Sequence, residues 1–405
     1  MPWPLRMILR VAPFVAIAGL YVGWRVSRSL ITLFAVTAWK VRLAVFLVVI
    51  LLNLLPLVIL TTYDRNPGET FFLSQTQLQT ADFLFNFPYW IGLAIVIEAF
   101  FYILAIDIVA TLFRIIPAIR PQNWQKWQSI LTLCATGFFI IYVPLRVYFD
   151  TYHVRQDTMK IEIANLPPAL ENLRLGFISD VQVDRYTQQT KLSRLDAELA
   201  EVNADLLLFS GDLVTSGQRF IDQGVNFLGQ TSAPLGQIAC MGDHDHWANP
   251  HKIANGLKHQ NWSFLQDQHQ LINYEGHKIL VTGITYIYSR RIPGHRLRQL
   301  MESAPDADLK IALVHQPSEL VINTAKKYGY HIVLAGHTHG GQIVFRPFGF
   351  SLTATQFENR FYSGFYETDN LPVIVTNGVG LTLAPIRYQA PAEVTVIEFQ
   401  NPAAE

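Results

Sequence analysis

The sequence predicts a protein of two parts, an α-helical transmembrane region over residues 1–149 and an α/β domain over residues 150–405. Long apolar runs fill the first part. The second part alternates short apolar or β-branched runs with stretches of helix length, which is the pattern of layered α/β domains. All twelve histidines also lie in the second part. We therefore expect the two parts to differ in both environment and chemistry.

The charge and cysteine content exclude several classes of protein. Lys+Arg and Asp+Glu balance at 31 each. No overall positive field exists to attract nucleic acid, so we predict no nucleic-acid partner. The two cysteines, Cys134 and Cys240, stand far apart in apolar segments. This spacing argues against a disulfide framework and against a thiolate zinc site.

Four apolar runs of the first part are candidates to span a membrane, which takes about 20 helical residues. They cover residues 7–24, 43–62, 89–116 and 130–148. An uncleaved signal peptide or a surface helix is the alternative for the first run, which Arg10 and Pro13 interrupt. The third run carries Glu98 and Asp107. We interpret these acids as facing polar or basic partners on neighbouring helices, and a functional path through the membrane is the alternative.

The basic residues between the runs predict the orientation. Those of the first and third loops are Arg25, Arg28, Lys40, Arg42, Arg114, Arg120 and Lys126. The second loop holds Arg65 alone. The positive-inside rule then puts the first and third loops in the cytoplasm, and the α/β domain of this multi-pass protein on the exoplasmic side of the cell membrane. Arg146, Arg155 and Lys160, at and just after the end of the fourth run, argue against this orientation.

In the α/β part, candidate strands end in loops that carry acids and histidines. The strands are predicted at 174–179, 206–210, 237–241, 279–283, 311–314, 332–335, 373–376 and 394–399, and a helix with an apolar stripe at 191–202. The loop residues with metal-binding or acid–base chemistry are Asp180, Gln182, Asp212, Asp243, His244, Asp245, His315, His337 and His339. Ligands of α/β domains gather at strand ends.

Each of these loops has an ordinary structural explanation when taken alone, since an Asp after a strand is commonly a turn or helix cap. Together they indicate a metal centre. Carboxylates and imidazoles in this assortment suit two divalent cations that share one bridging carboxylate, and such a pair can hold a phosphoryl group and activate a water. The sequence therefore favours phosphate-ester chemistry.

In the order of these loop residues, the chain resembles the calcineurin-like metallophosphoesterase superfamily. The family pattern is Asp-x-His, Gly-Asp, Gly-Asn-His-Asp/Glu, a lone His, and Gly-His-x-His, and the likeness covers about residues 172–400. It is strongest to the membrane-tethered bacterial branch, whose last motif reads Gly-His-Thr-His-Gly-Gly-Gln, as residues 336–342 do here. The resemblance implies two facing mixed β-sheets flanked by helices.

The resemblance also implies roles for the loop residues. The ligands implied for a first metal ion are Asp180, Asp212 and His339. Those implied for a second ion are Asp243, His315 and His337, with Asp212 bridging the two ions. By the same likeness, His244 would be the general acid for the leaving group, and Asp245 would orient its imidazole.

Two positions depart from the family pattern. Gln182 stands where the first motif has His, and Asp243 stands where the third has Asn. Gln182 replaces an imidazole nitrogen with an amide oxygen, and Asp243 replaces a neutral amide with a charged carboxylate. Ligand sets rich in oxygen favour manganese or magnesium over zinc. We therefore expect two divalent ions, with manganese preferred and zinc, iron or magnesium as alternatives.

These features predict a membrane-anchored, metal-dependent phosphoesterase, either a phosphodiesterase or a pyrophosphatase. The membrane half suggests that its phosphate-ester substrate is lipid-linked. The alternative is a catalytically weakened domain that binds phosphate as a membrane sensor or scaffold. A transporter is disfavoured because four helices are few and no repeat is apparent.

Overall fold

The computed structural model describes residues 3–63, 80, 82–114 and 121–402. The chain divides into two compact units. The helical unit comprises Met1–Tyr148, Val344–Leu352 and Leu383–Tyr388. The α/β unit comprises Phe149–Ile343, Thr353–Thr382 and Gln389–Glu405. The main boundary at Tyr148 is close to the one predicted at 149, but two late segments that we had predicted in the α/β domain belong to the helical unit.

The helical unit contains five α-helices and one π-helical turn among its described residues. They are α1 (Trp3–Phe34), α2 (Ala38–Leu52), α3 (Leu54–Tyr63), the π-turn Asp82–Asn86, α4 (Phe87–Arg114) and α5 (Pro121–Tyr152). Three stretches of the described residues are long and apolar enough to cross a membrane: Arg6–Phe34, Asp82–Phe113 and Trp124–Tyr152. The first, third and fourth predicted spans lie in these helices. Most of the predicted second loop, between the second and third runs, lies outside the described residues. So do the residues of the third predicted span that follow Arg114.

The second predicted span, 43–62, is divided at Asn53 between α2 and α3. The Asn53 side-chain amide donates to the carbonyl of Val49 at 2.8 Å. An Asn that bonds to nearby backbone competes with helix continuation, and a purely apolar pattern could not reveal this. Neither α2 nor α3 alone reaches the length of a membrane span.

The two acids of α4 both have partners within the helical unit. Asp107 accepts hydrogen bonds from the Tyr21 hydroxyl at 2.6 Å and from Gln128 at 2.8 Å, and Arg25 Nη2 lies 2.8 Å from its carboxylate. Glu98 accepts from the Tyr388 hydroxyl at 3.0 Å. The contacts of Asp107 agree with our interpretation of partners on neighbouring helices. Glu98 differs, because its partner Tyr388 lies in a late segment of the helical unit and not on a neighbouring helix.

The α/β unit contains two six-stranded mixed sheets and a small hairpin. The first sheet has the order β1 (Val154–Glu162), β14 (Ala392–Gln400), β2 (Arg174–Ile178), β3 (Leu206–Phe209), β4 (Gln237–Cys240), β5 (Trp262–Leu265). The second has the order β12 (Gly364–Thr368), β13 (Leu371–Val375), β11 (Ile332–Ala335), β10 (Leu309–Val314), β7 (His277–Ile284), β6 (Gln268–Tyr274). The hairpin is β8 (Tyr286–Ile287) and β9 (Arg290–Arg291). The α-helices of the α/β unit are α6 (Pro168–Glu171), α7 (Gln189–Val202), α8 (Ile221–Leu228), α9 (Asp243–Ala248), α10 (Pro250–His259), α11 (Gly294–Glu302) and α12 (Glu319–Lys327).

The two sheets face each other across an apolar layer. Phe177 and Leu208 of the first sheet are buried in one cluster with Ile311 and Leu334 of the second. A second apolar cluster joins the first sheet to α7, α8 and α10, and a third joins the second sheet to α11 and α12. Strands buried on both faces read as continuous apolar runs, which is why their sequences were recognisable. The predicted fold class, a helical region followed by two facing mixed sheets flanked by helices, is confirmed.

Strand direction brings the functional loops together. Strands β2, β3 and β4 run parallel, with Ile178 beside Phe209. Strands β10 and β11 are also parallel, with Val314 beside Ala335. The carboxyl ends of parallel neighbours lie at the same sheet edge. Five loops that are distant in sequence therefore leave the two sheets from equivalent ends.

Candidate metal centre

The first group of converging side chains contains Asp243, His315 and His337. One ligand atom from each lies within 4.8 Å of the other two. Nδ1 of His337 is 3.1 Å from Asp243 Oδ2, and Nε2 of His315 is 3.5 Å from the same oxygen. A carboxylate and two imidazoles at these distances could hold one divalent cation.

The second group contains Asp180, Asp212 and His315, again with ligand atoms within 4.8 Å of one another. Nε2 of His339 lies 3.4 Å from Asp180 Oδ1. The Gln182 amide donates to Asp212 Oδ2 at 3.1 Å. The structure thus brings all seven predicted ligands to one place. It also puts His315 in both groups, with Nε2 3.3 Å from Asp212 Oδ2, whereas the sequence suggested His315 for one ion alone.

The backbone at these ligands is strained. Five non-glycine residues of the site have positive φ: Asp180, Gln182, Asp212, His337 and His339. Such conformations are uncommon for residues with a side chain and cost about 1–3 kcal/mol each. Strain of this kind persists where the surrounding structure imposes it, and it clusters at functional sites.

Two glycines permit the loops to approach closely. A Cβ at Gly242 would lie 2.1 Å from the backbone nitrogen of Asp212, and a Cβ at Gly336 would lie 2.0 Å from Ser179 Oγ. Neither position can accept a side chain without moving a ligand loop. The Gly-Asp and Gly-His motifs therefore have a steric reason for their glycines.

Buried atoms without hydrogen-bond partners show that the site suits a cation. Among the described residues these include Asp180 Oδ1, Gln182 Oε1 and His315 Nε2. All three side chains are fully buried. A buried polar atom without a partner is costly unless something else satisfies it, and a divalent ion would satisfy oxygen and imidazole lone pairs at once. The donor set therefore fits the metal ions that the sequence suggested.

The electrostatics of the site also favour positive charge. Burial alone would lower the pKa of His315, but Asp212, Asp180 and Asp243 outweigh it and raise the pKa to about 10. Burial alone would raise the pKa of Asp212, but His315 foremost among the neighbouring imidazoles holds it below its ordinary value. Burial raises the pKa of Asp180. Without metal, a proton on His315 compensates part of the carboxylate charge.

His244 and Asp245 have different surroundings from those predicted. The Nδ1 of His244 contacts the backbone carbonyl of Thr215. Both carboxylate oxygens of Asp245 accept backbone N–H bonds, from Asp212 at 2.8 Å, Leu213 at 2.7 Å and Gly242 at 3.1 Å. The carbonyl of Thr215 therefore orients the imidazole, and Asp245 instead ties two ligand loops together. Burial raises the pKa of Asp245 to about 6, with the Asp212 charge contributing.

The structure adds contacts that the sequence analysis missed. The Gln316 amide donates to Asp243 Oδ2 at 2.6 Å, and the backbone N–H of Tyr288 donates to Asp243 Oδ1 at 2.6 Å. Glu358 Oε1 lies 3.8 Å from His337 Nε2. Gln316 directly follows a predicted ligand, which was a usable signal. A backbone donor such as Tyr288 leaves no trace in a sequence.

Comparisons with known proteins agree with this geometry. Residues 173–341 match the calcineurin-like phosphoesterase family. The uncharacterized metallophosphoesterase YkuE of Bacillus subtilis is 26% identical over 172 residues, which are 42% of this chain and 58% of that protein. A transmembrane protein with metallophosphoesterase domain from Danio rerio is 24% identical over 284 residues, 68% of this chain and 63% of its own.

An uncharacterized metallophosphoesterase of Aquifex aeolicus is 24% identical over 268 residues, 65% of this chain and 98% of its own. Among solved structures, the 5'-nucleotidase precursor from Thermus thermophilus aligns with a TM-score of 0.37 and 14% identity, over 51% of this chain and 49% of that one. The chain spans about six-tenths of the length of the first of these relatives. Residues 173–341 of this chain thus match a calcineurin-like phosphoesterase domain.

Proposed function

We propose that this chain is a membrane-anchored, metal-dependent phosphoesterase that acts as a phosphodiesterase or pyrophosphatase. The observation that carries the proposal is the convergence of the seven predicted ligands, with buried atoms among them that lack hydrogen-bond partners. Divalent ions held there would supply positive charge for phosphoryl oxygens and activate a water for attack. Phosphate esters hydrolyse very slowly without such help.

In this proposal His244 is the general acid. Its backbone N–H donates to Asp212 Oδ1 at 2.8 Å, which fixes the residue at the edge of the ligand group. Its Nδ1 is engaged by the Thr215 carbonyl, so Nε2 is the atom that faces the site, 3.9 Å from Asp212 Oδ2. The ring is partly exposed. A protonated Nε2 in this position can donate to a leaving oxygen.

Manganese is the proposed metal, because the ligand set includes three carboxylates and the amide oxygen of Gln182. Elemental analysis of purified protein tests this part. About one to two manganese ions per chain would support it. Two tightly bound zinc ions per chain would contradict it without affecting the proposed hydrolysis.

The substrate is proposed to be a phosphate ester at the membrane, such as a lipid-linked ester. The chain enters the helical unit at Val344, five residues after the ligand His339. In that segment Phe348 and Phe350 are exposed, at 54% and 74% of their surface. The Phe348 ring packs 4.7 Å from that of Tyr102 in α4. Exposed aromatic side chains beside apolar helices suit contact with lipid.

One assay tests the hydrolytic function. The full chain in detergent receives an aryl phosphodiester with manganese, beside the His244→Ala variant and the matched control His246→Ala, which lies on the same helix α9. We expect turnover by the parent and the control, and a loss of about 10²-fold or more in His244→Ala. If the parent shows no turnover with any divalent ion, the phosphate-binding sensor or scaffold becomes the better description.

A further inference from the structure

We infer that a basic pocket beside the metal centre binds a second phosphoryl group of the substrate. This inference rests on the proposed hydrolytic function and names a class of substrate for it. The pocket has a volume of about 580 Å³. The lining residues with charged or titratable side chains are Arg290, Arg291, His295, Arg296 and Asp267.

The charges of this pocket are unbalanced. Arg290, Arg291 and Arg296 line it with a single carboxylate, that of Asp267, whose Oδ1 already accepts the backbone N–H of Thr285 at 2.8 Å. The Arg291 guanidinium lies 5.3 Å from the Tyr286 ring centroid. Among the described residues no carboxylate lies within ion-pair distance of Arg290, Arg291 or Arg296. The chain as a whole has no net charge, so this concentration of positive charge is local. Guanidinium groups in such a cluster match phosphate oxygens in geometry and charge.

Helix α11 adds to the same field. Its first turn contains His295 and Arg296 and no acidic residue. The amino end of a helix carries partial positive charge, so basic side chains there repel it and an acid would be preferred. An anion in the pocket would relieve this repulsion. The cavity lined by arginines is the main evidence for an anion site, and the charge at the helix end adds to it.

The β8–β9 hairpin connects the pocket to the metal centre. At its tip, Tyr288 donates its backbone N–H to Asp243, and its hydroxyl lies 3.3 Å from His337 Nε2. Ser289, also at the tip, accepts a hydrogen bond from Trp247 Nε1 at 2.6 Å. Tyr288 and Ser289 form the turn of this hairpin, and Arg290, which pairs with Ile287, directly follows that turn.

The separation of the pocket from the ligand group limits which molecules can bind at both places. None of the seven predicted ligands lines the pocket, so a single phosphate held by the ligand group does not also occupy the pocket. A molecule with two phosphates separated by a sugar or a similar linker can place one phosphate at the metal centre and the other among the arginines. The preferred substrate is therefore a phosphoester that carries a second phosphate some atoms away from the bond that is broken.

A binding experiment tests the pocket without catalysis. Full-length protein in detergent is stripped of metal on a chelating resin and titrated with inorganic pyrophosphate by calorimetry. We expect binding that weakens with salt, as exposed charges require. The triple variant Arg290→Gln, Arg291→Gln, Arg296→Gln should lose at least about tenfold in affinity. The control Arg298→Gln, on the same helix but outside the pocket lining, should bind as the parent does.

A kinetic experiment tests the link to substrate. The two probes are the 5′-(p-nitrophenyl phosphate) of thymidine with and without a 3′-phosphate, which share the same bond to be broken. We expect a KM for the 3′-phosphorylated probe at least about tenfold lower in the parent. The triple variant should lose this difference while keeping its kcat on the plain probe.

The outcomes separate the two proposals. Equal KM values for the two probes in an active parent, or absence of pyrophosphate binding, would overturn the pocket assignment and leave hydrolysis intact. A pocket that binds a free anion unrelated to substrate would also give equal KM values. Pyrophosphate binding by a protein that hydrolyses neither probe would instead overturn the proposed function and leave an anion site.

Discussion

At the residue scale, the site is defined by buried atoms that lack hydrogen bonds. Gln182 shows this best. Its amide nitrogen donates to Asp212, while its Oε1 is buried without a hydrogen-bond partner. A neutral amide oxygen is a weaker ligand for zinc than imidazole. We therefore expect this residue to influence how tightly, and with what metal, the second group is filled.

The first prediction concerns this residue. Gln182→His should raise zinc affinity by about tenfold or more, because imidazole nitrogen replaces an amide oxygen at a ligand position. The measurement is zinc content after dialysis against a series of buffered zinc concentrations. The matched control is Gln218→His, a position outside the ligand group. Equal zinc affinity in parent and Gln182→His would show that this side chain does not contact the ion.

The second prediction follows from the pKa of His315, which the surrounding carboxylates raise to about 10. Below that pH the metal-free imidazole holds a proton, and a metal ion must displace it. Affinity for manganese should therefore fall as pH falls, by about tenfold per pH unit for each proton released. Calorimetry at pH 6.5 and 7.5, in buffers of different ionisation enthalpy, measures both the affinity and the proton count. An affinity that does not change with pH would contradict it.

At the scale of elements, the centre depends on loops that touch one another. The loops after β3 and β4 meet where Gly242 lies against the backbone of Asp212. The Asp245 carboxylate holds the same two loops through three backbone N–H groups. Sheet register brings the loops near each other, and these contacts set their final separation.

The third prediction tests that separation. Gly242→Ala places a Cβ 2.1 Å from the backbone nitrogen of Asp212, so the two loops must move apart. We expect a destabilisation of about 3 kcal/mol or more and a loss of metal binding. Thermal unfolding and manganese titration measure the two effects. Gly294→Ala is the control, since its Cβ would meet neighbours at 3.6 Å or more. Parent-like metal affinity in Gly242→Ala would refute the steric argument.

At the scale of the whole molecule, the chain returns to its helical unit twice after leaving it. Residues 344–352 and 383–388 both belong to that unit. They bring partners for Glu98, the hydroxyl of Tyr388 and the backbone N–H of Arg346. An acid in the middle of an apolar helix is expensive unless it is paired. The late segments therefore complete the helical unit.

The fourth prediction concerns orientation. If α2 and α3 together cross the membrane once, the helical unit has the four spans that the sequence predicts, and the positive-inside rule then puts the α/β unit on the exoplasmic side. In a Cys134→Ala background, Glu302→Cys should react with a membrane-impermeant maleimide in cells whose cytoplasmic membrane is intact. Lys126→Cys, near the start of α5 and within the predicted third loop, should react only after permeabilisation. Both positions are exposed, so access to each depends on the side of the membrane. The reverse labelling pattern would place the α/β unit in the cytoplasm.

The sequence by itself determined the α/β class, the buried strands and the identity of the candidate ligands, because continuous apolar runs and glycine-flanked acids and histidines are local patterns. Edge strands such as β1 and β12 were missed, since partly exposed strands lack a continuous apolar run.

Tertiary structure alone decided how His315 is shared between the two groups, that Thr215 rather than Asp245 orients His244, and that Asn53 divides an apolar run. It also decided that late segments join the helical unit. These outcomes depend on contacts between residues far apart in the chain and on backbone atoms. Side-chain patterns along a sequence do not encode such contacts directly.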